Sequence, residues 1–227
     1  MLQLIDKGKI YLYLFLPFIL LSIHNINTLN FINNFFKIEK IIIKSTIDES
    51  INKEITNSLS QFYNFNIFSI KDEDIINTLE NFNIISEYKV KKQYPSILKV
   101  ELKGTKILAY YFNNNKKILI GENGKKIKDK NLADDKLPLI IGKVKIENFL
   151  NLKKKLLENG FILSDFEKFY SFKSNRWDLL YQNKLLIKLP ISNVNEAIKI
   201  LRKIINSANI NDLEIIDLRI KNKVIIS

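Results

Sequence analysis

Asp134-Asp135 is the most obvious pair of side chains in this sequence whose types suit acid–base or metal chemistry. A carboxylate dyad needs an environment that drives two pKa values apart, and a metal needs several converging donors. A polar stretch between Lys130 and Lys136 supplies neither, so the pair reads as part of a solvated loop. Asp72-Glu73-Asp74 reads as negative charge at a helix start, where the dipole favours it. There is no cysteine and one histidine, His24, which excludes thiol catalysis, disulfides, thiolate metal sites and a multi-histidine metal site. Gly121 and Gly124 do not make a phosphate loop, because no strand–glycine–helix context surrounds them. Trp177 falls in a strand-like segment and reads as core rather than as a stacking platform. Lys125, Lys126, Lys128 and Lys130 carry no interleaved aromatics and read as a solvated basic loop. Nowhere do a nucleophile, a base and an orienting group occur together, so the sequence predicts no catalysis, no cofactor and no small-molecule substrate.

The charge balance is the next temptation. Thirty-six basic against 24 acidic residues give a net charge of +12, which suggests an anionic partner. Only three of the cations, Arg176, Arg202 and Arg219, are arginines. Phosphate binders recruit arginine for its bidentate fork, whereas lysine here runs alongside equally heavy use of isoleucine and asparagine. The excess is therefore compositional, and nucleic acid is not the expected partner. With 46% hydrophobic and 11% aromatic residues in 227, the chain can bury a sizeable core in one or two domains.

Three readings compete for the N-terminus. Residues 10–23 (IYLYLFLPFILLSI) form an uncharged apolar run after Lys7 and Lys9. A cleaved signal peptide would need small residues at a cleavage site, and Ser22 to Asn27 offer none of that kind. A buried core helix is disfavoured by Pro17 in mid-run. The preferred reading is an uncleaved signal anchor over 10–31, with residues 1–9 as a short cytoplasmic tail. The anchor's apolar part is shorter than the ~20 residues a bilayer core requires, so its end would extend into the interfacial zone.

Beyond the anchor the pattern becomes α+β. Residues 36–43 alternate like a strand. Thr46 with Glu49 fits a capping box, followed by Ile51, Ile55, Leu59 and Phe62 at helical spacing. Asp72 to Asp74 open a second helix with Ile75, Leu79 and Phe82 as its stripe. Two strand-like segments, 85–92 and 97–103, flank a turn at Tyr94-Pro95-Ser96. The order is β-α-α-β-β.

That order resembles a POTRA domain, and the stretch from Ile85 to Pro95 (ISEYKVKKQYP) is similar to the V-x-x-V-x-V-R-[RK]-x-[WY]-P segment of the FtsQ/DivIB family of bacterial cell-division proteins. The resemblance continues through Ala109-Tyr110-Tyr111, a turn at Gly121 to Gly124, Leu137-Pro138 to Gly142, and a helix ending at Gly160. It runs on through Trp177-Asp178-Leu179, a strand over 184–189, a second amphipathic helix and Asp217-Leu218-Arg219-Ile220, and then a last strand over 223–226. The chain departs from the family pattern at Lys44-Ser45, where a glycine is usual, and at Gly104 to Ile107, which lacks the usual acid and proline. It departs again at Leu189-Pro190, and at Ile220, which stands where an aromatic is usual.

The resemblance implies a single transmembrane helix, a POTRA domain over 36–104 and an FtsQ-type β domain over 105–227, a mixed sheet with two flanking helices. It implies a non-catalytic divisome scaffold in the cell inner membrane, with the N-terminus cytoplasmic, the bulk periplasmic, and enrichment at the division septum. Such a scaffold links early and late septum-assembly proteins. The β domain is implied to bind the FtsB–FtsL complex by β-strand addition at its terminal strand, and the POTRA domain to contact upstream division proteins. Carried over by position, the candidate partner-binding residues are Arg219, Ile220 and the edge strand with Lys223, Val224, Ile225 and Ile226; Arg176, just before Trp177, is a further candidate because a basic residue there can meet an acidic partner. Sequence alone leaves open whether the terminal strand is a free sheet edge or is covered. The alternative is a POTRA-bearing envelope chaperone or protein-translocation component.

Overall fold

The computed structural model of the chain describes residues 7–22, 33–128, 137–182, 184–207, 213–221 and 223–227. Asp134-Asp135, His24 and residues 23–31 of the expected anchor lie outside them. The first element, α1 (Lys7–Ser22), is 16 residues long with Pro17 inside it. Every residue from 11 to 19 is exposed, and these are almost all large and apolar. Sixteen residues rise about 24 Å, short of a hydrocarbon core of about 30 Å. No helix among the described residues is long and apolar enough to cross a membrane.

The remaining elements fall into two compact units, one drawing on residues up to Phe82 and on Glu87–Lys103, the other on Asn83–Ser86 and Gly104–Ser227. The first holds β1 (Lys40–Ser45), α2 (Glu49–Leu59), α3 (Asp72–Glu80), β2 (Ile85–Gln93) and β3 (Ile97–Gly104). This is the expected β-α-α-β-β order. Its three-stranded sheet runs β1-β3-β2, with β1 parallel to β3. Ile51, Ile55 and Leu59 form one buried face of α2, and Ile75 and Leu79 that of α3. Ile38, Leu98 and Val100 in the same unit are also fully buried.

The start of α2 differs from the expected capping box. Asp48, not Thr46, is the N-cap, and its carboxylate accepts the Ser50 N–H at 2.9 Å. Thr46 is held in the strand ladder, because its own N–H donates to the Leu102 carbonyl at 3.3 Å. A capping residue must leave the strand first, and Asp48 is the next good acceptor along the chain. The Ser50 hydroxyl and amide, both donating to it, hold the Asp48 carboxyl below its ordinary range.

The second unit is built on a nine-stranded sheet. Its strands are β4 (Ile107–Asn113), β5 (Lys116–Gly121), β6 (Lys126–Lys128), β7 (Leu139–Gly142), β8 (Phe166–Ser171), β9 (Trp177–Tyr181), β10 (Leu185–Lys188), β11 (Ile215–Asp217) and β12 (Ile225–Ile226). Across the sheet the order is β12-β11-β10-β9-β8-β7-β4-β5-β6. Lys126 and Lys128, expected in a loop, form the short edge strand β6 paired to β5, and lysine is a residue that blunts an exposed edge.

Two parallel pairs fix where the helices go. β7 connects to its parallel neighbour β8 through α4 (Ile146–Glu158), and β10 to its parallel neighbour β11 through α5 (Val194–Ser207). β8, β9 and β10 are successively antiparallel, so β7 and β10 point the same way, and both crossovers step in the same direction across the sheet. Right-handed crossovers of that kind place both helices on one face. There Phe149, Leu152 and Leu156 of α4 and Ala197, Ile198 and Leu201 of α5 join Phe166, Phe169, Trp177, Leu179 and Ile187 in one core. Trp177 is core, as its strand position suggested, and lies 6.3 Å from the Phe149 ring.

Helix α4 ends as the sequence implies. Phe161 N–H donates to Leu156 O and Gly160 N–H to Leu157 O, both at 3.0 Å, with Gly160 at φ +81. Those two bonds are the Schellman closure of a helix. Asn123-Gly124, read from the sequence as a turn, does more than turn the chain. The Asn123 amide donates to the carbonyls of Asn83 at 3.0 Å and Ile85 at 3.2 Å within the same unit.

Candidate protein-binding edge

Of the two ends of the large sheet, one is formed by the last residues of the chain. β12 pairs antiparallel with β11, placing Ile225 opposite Asp217 and Ile226 opposite Ile216. Beyond the strand, Ser227 and Ile215 exchange hydrogen bonds in both directions, at 3.2 and 3.0 Å. In an antiparallel ladder, hydrogen-bonded and non-hydrogen-bonded pairs alternate. Ser227 and Ile225 therefore turn their backbone groups inward to β11, while those of Ile226 and Val224 face away from the sheet. Among the described residues β12 has no neighbour on that side in the strand order, and Ile225 and Ile226 are 43% and 46% exposed. The strand is shorter than the expected 223–226. Lys223 N–H donates to Ile220 O at 3.2 Å, closing a turn, and the Val224 side chain packs on the core.

The candidate arginines are not free cations. The Arg219 guanidinium Nε lies 2.9 Å from both carboxylate oxygens of Asp217, and the Arg219 backbone N–H donates to Asp217 Oδ1 at 3.0 Å. These hydrogen bonds hold the Asp217 carboxyl below its ordinary range. Arg176 stacks 4.1 Å from the Phe172 ring centroid and donates to Asp178 at 3.4 Å. Asp178 is 6% exposed and its pKa is pushed up by burial, against the pull of Arg176, Arg219 and Lys188.

The strand register explains why these groups meet. Lys188 on β10 stands opposite Asp178 on one side and opposite Asp217 on the other. Residues directly opposite share a sheet face, so Asp178, Lys188 and Asp217 form a row across β9, β10 and β11. Arg176 and Arg219 each pair with the acid two residues along their own segment. Three cations face two acids, leaving the row with a positive surplus. Next to it, a groove of about 240 Å³ runs between the start of α5 and the C-terminal segment. Ile200, Leu218, Ile220 and Val224 supply its apolar lining, and Arg219, Lys221 and Lys223 outnumber its acid, Glu196. Ile200 and Ile220 are 41% and 52% exposed. Among the described residues, no group of three or more His, Cys, Asp or Glu could hold a metal ion.

A row of charges, an apolar groove and an uncapped strand can recognise a polypeptide. Which kind of protein carries such an edge is answered by comparison. Residues 36–103 match the family description "POTRA domain, FtsQ-type", and residues 109–219 match "Cell division protein FtsQ/DivIB, C-terminal". The chain belongs to the FtsQ/DivIB family. Cell division protein FtsQ of Rickettsia bellii (strain RML369-C) is 28% identical over 193 residues, covering 83% of this chain and 71% of that protein. The FtsQ of Rickettsia conorii (strain ATCC VR-613 / Malish 7) is 26% identical with the same coverage. That of Rhizobium radiobacter is 24% identical over 144 residues, 61% of this chain and 68% of the relative. The FtsQ/DivIB match ends at Arg219, so Ile220 and the four candidates on the terminal segment lie beyond the matched residues.

The Asp217–Arg219 pair makes one expectation about stability. A carboxyl whose pKa is lowered by folding adds stability above its unfolded value, about 3.9, and loses it as pH falls through the folded value. Asp217→Asn is expected to lower the melting temperature at neutral pH. The gap from the parent chain should close as pH is taken below about 4 in a thermal melt series. A gap that stays constant into acid would show that the pair contributes nothing through charge.

Proposed function

We propose that this chain is a membrane-anchored scaffold of the cell-division machinery that captures a partner polypeptide by adding its strand to β12. The partner is the FtsB–FtsL complex, and the chain links it to upstream division proteins through the POTRA unit. In this reading the apolar N-terminal segment over 10–31 is a single-pass anchor in the cell inner membrane. The N-terminus is cytoplasmic, the bulk of the chain periplasmic, and the protein concentrates at the division septum. The scaffold carries no catalytic step.

The observation that carries the reading is the terminal position of β12 in the sheet, with its outward backbone groups beside the exposed Ile220, Ile225 and Ile226. A strand added there gains main-chain hydrogen bonds, and one of its apolar side chains can enter the adjacent groove. The positive surplus of the Asp178–Lys188–Asp217 row, with Lys221 and Lys223, favours acidic residues flanking that strand. Photo-crosslinking amino acids placed singly from Arg219 to Ile226 in dividing cells test partner and site together. Crosslinks to FtsB from positions 220 and 226, and none from the opposite sheet edge at Lys126, are expected. Crosslinks from Lys126 alone would overturn the assignment.

A further inference from the structure

We infer that one end of the POTRA unit rests on the bilayer surface through a cluster of exposed aromatic rings, an inference that rests on the membrane anchor proposed above. Phe35 and Phe36 meet edge to face at 5.3 Å, Phe36 and Phe68 at 4.9 Å, and Phe68 stacks on Tyr94 at 4.7 Å and 15°. Phe35, Phe65, Phe68 and Tyr94 are 53%, 58%, 58% and 53% exposed. Phe35, Phe68 and Tyr94, more than half open to solvent and joined through ring contacts that include the half-buried Phe36, form an apolar patch with the exposed Phe65 on the adjoining segment, not scattered surface residues.

The patch sits where the chain arrives from α1. Ile38 N–H donates to Phe65 O at 2.9 Å, and Ile67 N–H to Phe36 O at 2.8 Å. Glu39 and Lys40 N–H both donate to Ser96 O, at 3.0 and 3.3 Å. Residues 36–40 are thus stitched to 64–67 and to the 94–96 turn, fixing three ring-bearing segments at the beginning of β1. Ten residues separate the last described residue of α1 from Asn33. That length spans at most about 35 Å, so a bilayer holding α1 lies within reach of the patch. Tyr94 is the amphipathic ring of the cluster, of the kind that favours the headgroup level, and exposed phenylalanines bury their rings at the boundary between headgroups and acyl chains. Lys37 and Lys40, on the same segment, place cations at the depth of lipid phosphates. Among the described residues, the far end of the unit, around Asp48 and Glu49 at the beginning of α2, offers no comparable cluster of exposed large apolar side chains.

A chain without cysteine permits a direct test. Ser69→Cys, beside Phe68, and Glu49→Cys, at the far end, are labelled with bimane in the full chain. Each is then placed in lipid nanodiscs of phosphatidylethanolamine and phosphatidylglycerol at one chain per disc. Headgroup-proximal doxyl lipid is expected to quench the label at position 69 at least about twofold more than the label at 49, as for groups at interfacial depth. A triple variant, Phe65→Ser, Phe68→Ser and Tyr94→Ser, should abolish that difference while melting at the parent temperature. Equal quenching at both positions in discs that retain the chain overturns the inference and leaves the anchor standing. Failure of the chain to co-purify with the discs overturns the anchor and the inference together. Protection at position 69 that appears only with two chains per disc assigns the patch to a second copy instead.

Discussion

Replacing Ile226 by proline is expected to weaken the proposed capture of the FtsB–FtsL complex by about 10- to 100-fold, the cost of leaving a main-chain donor or acceptor unmet at a buried interface. The melting temperature should not move. The reason lies in the alternation of the antiparallel ladder. Ile226 stands in a non-hydrogen-bonded pair with Ile216, so its N–H points to the free side of β12. Proline removes that donor and sets a ring against the incoming strand without breaking any bond to β11. Its neighbours do not allow so clean a test. Proline at Ile225 deletes an inward bond to β11 opposite Asp217, and a charge at Val224 enters the hydrophobic core. Both should lower stability as well as binding. Calorimetric titration of the purified complex against Ile226→Pro, alongside thermal melts, separates the cases, and undiminished affinity would sink strand addition at this edge.

How much of this was legible beforehand differs element by element. Ile51, Ile55 and Leu59 recur every four residues, and that local periodicity alone gives α2 its buried face. The capping-box pattern at Thr46 puts the start of α2 two residues early, because capping depends on where a strand lets go, and Thr46 is still held by Leu102 from β3. Strand order is the least local property. Nothing near β7 in sequence indicates that its neighbours are β4 and β8, or that β10 lies between β9 and β11. The charge row follows from that order and is therefore not legible in the local sequence. A signal for part of it did exist. Arg176-x-Asp178 and Asp217-x-Arg219 space opposite charges by two, which in extended chain puts both on one face. The acids that Arg176 and Arg219 meet are thus intramolecular, two residues away along the same segment. The free edge was left undecided by the sequence because exposure of β12 is set by what does not pair with it.

Gly142→Ala is expected to cost about 3 kcal/mol or more, from backbone strain together with a steric clash. That corresponds to a fall in melting temperature of about 6–12 °C for a domain of this size. Gly142 closes β7 at φ +107, outside the range a side chain adopts comfortably, and a Cβ there would lie 2.1 Å from the Ser171 carbonyl oxygen. That oxygen belongs to the paired strand β8, in register with Gly142 itself. Relief would require separating β7 from β8 at the seam where the α4 crossover begins. Gly124 is the internal comparison, at φ +76 but with its nearest neighbour, Leu150 Cδ1, 3.5 Å from the added Cβ. Gly124→Asn should cost under about 1 kcal/mol, since asparagine tolerates the left-handed region and nothing is displaced. The two glycines thus separate the clash from the conformational cost. They also separate fold from function. Gly142→Ala should lose partner capture only at temperatures where the chain itself melts, and bind normally when cold. Ile226→Pro should show the same weakening of about 10- to 100-fold at every temperature while remaining folded. If cold, folded Gly142→Ala also failed to bind, the β7–β8 seam would have to be part of the interface, and β12 could not be its sole docking strand.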